Sequence, residues 1–179
     1  DLSLIPSSNS YQREFLFECV LCRDINSDII FEASFINSEA NQTIQQKAKS
    51  ILSYNQEIAG VLRDMPADFT QALTALMKWK GVTVEELAEA AGCHPKTIQR
   101  LRNELEYGGS LETVVAVCIG LKLPPILSTE LLQRSGFSFK GTEAHLAYRF
   151  LLNAYYSHSI FDCDELLKSM GLSPLSQMN

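Results

Sequence analysis

"TVEELAEAAGCHPKTIQRLRN", residues 83 to 103, contains the starts and stops of two short helices. Thr83 with Glu86 three residues later is a capping box: the hydroxyl accepts a free N–H of the first turn while the carboxylate reaches back to the Thr83 N–H. Gly92 supplies the left-handed residue that ends a helix. His94 then precedes Pro95, the residue best suited to the first helical position, and the spacing predicts a second helix running to about Asn103. Ala88 and Ala91 are small where a crossing partner would approach. Two short helices joined by so tight a turn have the geometry of a helix-turn-helix, with the second helix as its outer reading element.

The flanks carry the same punctuation. Asp68 is placed to cap a helix containing Phe69, Leu73, Leu76 and Met77, which stops at Gly81. Gly108 and Gly109 break the chain before Ser110, which caps "LETVVAVCIGL" (111–121). Pro124-Pro125 begins another helix, reaching about Gln133. Five helices are thus expected within residues 67–138, with Ile98, Leu101, Val114, Val115 and Ile119 in the core.

With these landmarks in place, "TVEELAEAAGCHPKTIQRLRN" followed by "GGSLETVVAVCIGLKLPP" resembles the helix-turn-helix family of lambda repressor and Cro, also called the XRE family, over about residues 68–135. The matching positions are Leu87, Ala88 and Ala91, then Gly92-Cys93-His94, then Thr97, Ile98, Gln99 and Arg100. The later Ser110-Leu111-Glu112-Thr113 and Gly120-Leu121 match as well. The resemblance implies a mainly α fold and double-stranded DNA as partner. This chain departs from the family pattern at Pro95, where a polar residue able to touch bases is more usual, and at Arg102-Asn103.

The chemistry of the second helix agrees with that implication. An α-helix fits a major groove about 12 Å wide, and its N-terminal half meets the base edges. Lys96, Thr97, Gln99 and Arg100 are therefore the candidates to read or grip DNA, with His94, Arg102 and Asn103 beside them. Gln99 can pair bidentately with adenine, and Lys96 or Arg100 can reach guanine or a phosphate. Thr83, with the free N–H groups at the start of its helix, is the candidate phosphate clamp. The competing reading of the Lys96, Arg100 and Arg102 trio is an ordinary solvated face.

Composition narrows the partners. With 15 Lys and Arg against 21 Asp and Glu, the net charge is −6, so a broad basic field that coats nucleic acid or membrane is excluded and any anion binding must be local. No apolar run nears the roughly 20 residues of a membrane span. The five cysteines, Cys19, Cys22, Cys93, Cys118 and Cys163, are odd in number and set among apolar neighbours, which suits reduced thiols and a cytoplasmic location. Cys19 and Cys22 form a C-x-x-C with no second pair, so no metal site is expected. Cys93, before a helix start and near Lys96, admits a redox role, but packing is the simpler reading of a turn position. His145 and His158 lack any H-E-x-x-H pattern, and neither a P-loop nor G-x-S-x-G occurs. Neither enzymatic activity nor a cofactor is expected.

Outside the five helices the sequence predicts three further parts. Residues 1–38 hold "EFLFECVLCRDINSDIIFEASFI" (14–36), whose aromatic and β-branched runs around a polar turn read as a β-hairpin belonging to a larger unit. Residues 39–66 read as a connecting amphipathic helix. Its stripe of Ile44, Ala48, Ile51, Asn55, Ile58 and Leu62 alternates spacings of four and three, and is read as packed on its own domain, with a homodimer seam as the alternative. Residues 139–179 read as a helical hairpin: Ala144, Ala147, Phe150, Leu151, Ala154 and Tyr155 make one face, Asp162 with Glu165 makes a cap, and Phe161 with Leu166 makes a staple. The first expected function is a sequence-specific DNA-binding transcriptional regulator. The second is a docking or regulatory segment of a larger protein, for example a metallopeptidase-associated one, and the start at Asp1 suits a piece of a longer chain.

Overall fold

The computed structural model describes the backbone of residues 25–104 and 107–176, with side chains from residue 43 onward. All regular elements among the described residues are helical: α1 (Ile25–Asp64), α2 (Phe69–Lys80), α3 (Val84–Ala90), α4 (Pro95–Asn103), α5 (Leu111–Gly120), α6 (Pro125–Arg134), α7 (Glu143–Phe150), a π-helical turn (Leu151–Tyr155) and α8 (Ile160–Ser169). The chain divides into two units, residues 1–55 and 56–179.

The helix boundaries follow local chemistry. Asp68, Thr83, His94 and Ser110 each accept a backbone N–H from the first turn of the helix they precede, satisfying donors that a helix leaves orphaned. Gly81 ends α2 at φ +66° and Gly92 follows α3 at φ +63°, a region costly for any residue with a Cβ.

Helix α5 is the centre of the second unit. Leu111 and every residue from Thr113 to Ile119 are buried, as expected of a helix that is apolar all round. It packs on α3, α6, the π turn and α8, and the buried side chains form one cluster extending from Ile58 to Leu175. At its end a Cβ on Gly120 would lie 2.9 Å from the Ala91 nitrogen. The backbones of α5 and the α3 terminus are therefore in van der Waals contact, and this contact sets the level of the α3–α4 turn.

The C-terminal tail is fixed by a buried carboxylate. Asp164, only 4 % exposed, accepts N–H bonds from Leu175 at 2.6 Å and Ser176 at 3.2 Å. This holds Leu175 in the core and brings Ser176 against the helix-turn-helix, where a Cβ on Gly92 would come within 2.6 Å of the Ser176 Cβ. Asp164→Ala leaves both donors without a protein acceptor and is expected to cost about 1–3 kcal/mol per buried unpaired group, less any recovered by water. Denaturant unfolding measures it, and Asp164→Asn, which retains an acceptor oxygen, should lose less.

Four expectations are corrected. The first half of the 14–36 hairpin lies outside the described residues, but from Ile25 the backbone is helical, so the second strand is replaced by the start of α1. A short apolar run fits either period, and here it continues into the helical pattern downstream. The α1 stripe is not packed on its own domain throughout: Ile58 is buried, whereas Ile44, Ile51 and Leu52 are about 60 % exposed. In the C-terminal part Ala147, Tyr148, Leu151 and Leu152 are inside while Phe150 is exposed: the amphipathic Tyr148, not Phe150, completes the i, i+1, i+4, i+5 face of the helix. Finally, α8 starts at Ile160, capped by a reciprocal box between Ser159 and Asp162. Asp162 therefore sits inside the helix, and Phe161, 64 % exposed, staples nothing. Both Ser159 and Asp162 precede an acidic residue by three positions, and the serine box satisfies the earlier pair of orphan donors.

Candidate nucleic-acid interface

Helix α4 is held from beneath by Ile98 and Leu101, both fully buried and spaced to point the same way. It packs on α2 and α3, and the Gly92 and Cys93 N–H groups bond back to Glu89 and Ala88 carbonyls, so the turn is rigid. The exposed face carries Lys96, Gln99 and Asn103, separated by three and four residues and thus aligned along one side. Among the described residues Lys96 has no ion-pair partner and Gln99 no side-chain hydrogen-bond partner, leaving both heads available to a ligand.

The remaining candidates are engaged. His94 is exposed, but its Nδ1 accepts the Lys96 N–H at 3.1 Å, so the imidazole serves as the helix cap. Thr97 is half-buried. Arg100 donates from Nε to both carboxylate oxygens of Glu104 at 3.2 and 3.1 Å, and its guanidinium lies 3.7 Å over the Tyr107 ring. Arg102 leans the other way, with Nε 3.4 Å from Thr74 Oγ1 on α2. Glu104 and Tyr107 escaped the reading of the sequence. The Arg100–Glu104 pair has the i,i+4 spacing that signals such a bond, whereas Tyr107 is brought in by a loop with no local signature.

Thr83 shows a competition at the clamp position. Its N–H and its hydroxyl both bond the same Glu86 oxygen, at 2.8 and 3.0 Å, and those bonds hold the Glu86 carboxyl below its ordinary pKa. A carboxylate therefore already occupies the start of α3, and a phosphate there would have to displace it. Across residues 83–104, Glu85, Glu86, Glu89 and Glu104 face three bases, Lys96, Arg100 and Arg102, so the surface gives little nonspecific attraction to DNA.

Glu104→Gln removes one of those acids and frees Arg100. Affinity for duplex DNA is expected to rise about 2–5-fold, with a salt slope steeper by about one phosphate contact. Thermal stability should barely move, since an exposed i,i+4 pair is worth only about 0.3–0.5 kcal/mol.

Cys93, Cys118 and Cys163 are free and buried, whereas the Cys19–Cys22 pair lies outside the described residues. Burial pushes Cys93 up to about 11, and Cys118, fully enclosed, up to about 12. At neutral pH neither is a thiolate, and Cys93 acts as an apolar turn residue. Among the described residues no group of acidic, histidine and cysteine side chains is arranged to hold a metal, and no helix is long and apolar enough to cross a membrane.

Residues 72–125, from the middle of α2 to the start of α6, match the family model described as the Cro/C1-type HTH DNA-binding domain. This segment is similar to a Cro/C1-type helix-turn-helix. In that likeness α3, the turn and α4 correspond to the helix-turn-helix, and α5, α2 and the Gly120 contact support them. No curated protein and no solved structure matches the chain.

Proposed function

We propose that this protein is a sequence-specific, DNA-binding transcriptional regulator of the cytoplasm or nucleoid, without enzymatic activity, that places α4 in the major groove. The observation that carries this reading is the aligned, exposed trio Lys96, Gln99 and Asn103 on a helix fixed by Ile98 and Leu101. Gln99 reads a base edge, most simply adenine, and Lys96 takes a neighbouring guanine or phosphate. Arg100 joins when the backbone phosphates compete it away from Glu104. The experiment is duplex binding as a function of salt: phosphate contacts release counterions, so log K must fall linearly with log salt.

The acidic surroundings of α4 favour a second reading, in which the helix-turn-helix is a docking module of a larger protein. It predicts no salt-dependent duplex binding, so the same titration separates the two.

One such module has a small interface, and useful specificity calls for two readers spaced about one turn of DNA, roughly 34 Å. The reading therefore includes a homodimer formed by the exposed stripe of α1. Ile44, Ala48, Ile51 and Asn55 occupy successive d, a, d and a positions of a heptad pattern. An Asn at an a position pairs with its own copy in a parallel two-stranded coil and fixes the register. Ile51→Glu should shift the sedimentation-equilibrium mass to that of a monomer, and Asn55→Asp should weaken the dimer by repulsion of like charges across the seam.

A further inference from the structure

A groove of about 290 Å³ lies beside the C-terminal helices, lined by Thr129, Leu132, Gln133, Phe137, Phe139, Arg149, Leu152 and Asn153 among others. Its volume is at the lower end of small-molecule sites, which run from about 300 to 1,000 Å³. It plays no part in the helix-turn-helix face.

The walls are built from two matching helical triplets. Thr129, Leu132 and Gln133 stand at i, i+3 and i+4 on α6, and Arg149, Leu152 and Asn153 repeat that spacing across the end of α7 and the π turn. Leu132 and Leu152, about 5 % exposed, form the floor. The π turn places Asn153 so that its Nδ2 donates to the Arg149 carbonyl at 2.8 Å, leaving its Oδ1 as a free acceptor. The Phe137–Phe139 loop also lines the groove and is pinned: the Lys140 N–H bonds His145 Nδ1 at 2.8 Å, and Phe139 meets the His145 ring edge-on at 6.2 Å.

The decisive group is Arg149. Arg63, Arg100 and Arg134 each pair with a carboxylate, and Arg102 bonds Thr74. Arg149 lines the groove, and among the described residues its guanidinium has neither an ion-pair nor a side-chain hydrogen-bond partner. In a chain of net charge −6, an unpaired guanidinium over an apolar floor is the complement of a monoanion with an apolar body. Its planar fork matches a carboxylate bidentately. We infer that this groove is a binding site for a small carboxylic acid with an aromatic or branched aliphatic body, the carboxylate on Arg149 and the apolar part between Phe137, Phe139, Leu132 and Leu152.

The test uses the full chain without DNA, so its outcome is independent of the reading of α4. Phenylacetate is titrated into ¹⁵N-labelled protein and followed by amide chemical shifts, beside phenylacetamide as the uncharged isostere. Saturable shifts are expected at Thr129, Gln133, Phe139 and Asn153, with phenylacetamide at least tenfold weaker and Arg149→Gln weakening phenylacetate at least tenfold. Because Arg149 is exposed, the variant should keep the wild-type spectrum elsewhere, which confirms that it is folded. The inference is overturned if millimolar phenylacetate gives no saturable shifts at the groove, or if phenylacetamide and the Arg149→Gln protein behave like phenylacetate and the parent, which would make this an apolar crevice without a carboxylate site.

Discussion

Lys96→Ala combined with Gln99→Ala is expected to weaken binding to the preferred duplex by about a hundredfold or more, since one bidentate base contact and one guanine or phosphate contact are worth about 1–3 kcal/mol each. The two losses differ in kind. Lys96→Ala alone should reduce affinity for all sequences and flatten the salt slope by about one, whereas Gln99→Ala should leave the slope and relax preference at a single base pair. Both side chains are exposed and neither touches the core, so the unfolding midpoint should stay within about 0.5 kcal/mol of the parent. Fluorescence anisotropy at several salt concentrations, with circular dichroism on the same samples, reads all of these.

Gly120→Ala should act in the opposite way, on the frame rather than the reader. Alanine ordinarily favours a helix over glycine by up to about 1 kcal/mol. Here the added Cβ would lie 2.9 Å from the Ala91 nitrogen, 3.1 Å from the Ala90 carbonyl carbon and 3.1 Å from the Ala91 Cβ. All three belong to the backbone or to a side chain that cannot rotate away, so relief requires α5 and the α3 terminus to separate. Overpacking of that sort costs about 1–3 kcal/mol, and a net loss near 2 kcal/mol is expected in urea unfolding. Because the same contact levels the turn into α4, DNA affinity should fall too, although Gly120 lies far in sequence from the reader. A stabilised variant would show that the two helices can part freely.

The sequence was most informative where chemistry is local. Asp68, Thr83, His94 and Ser110 cap the helices they precede, because a short polar side chain needs only its own first turn to act. Ser159 was passed over for Asp162 because two overlapping patterns of the same type compete there, and only the helix start decides between them. The inward face of α7 is completed by Tyr148 rather than Phe150, and an amphipathic tyrosine marks an apolar stripe less plainly than a phenylalanine does. Arg100 was legible as a basic residue on the reading helix, and its i,i+4 partner Glu104 was legible in principle. Tyr107 over Arg100, Asp164 beneath Leu175 and Gly120 against Ala91 join residues that no periodicity connects. Tertiary packing alone reveals them.

The acidic composition and the DNA-binding fold are reconciled at this level. Glu86 sits on the start of α3 and Glu104 holds Arg100, so little attraction remains for an arbitrary phosphate backbone. In the proposed function, binding depends on the fit of Lys96, Gln99 and Asn103 to a particular site, which raises the ratio of specific to nonspecific affinity that matters in a genome.

Selection of bound duplexes from a random DNA pool, run in parallel with the parent and with Gln99→Ala, asks whether α4 reads DNA sequence through Gln99. The expected result is an enriched motif in the parent, arranged as two half-sites about one helical turn apart, that loses its preference at one position per half-site in the variant. No enrichment from the pool, or an identical motif from both proteins, would contradict it.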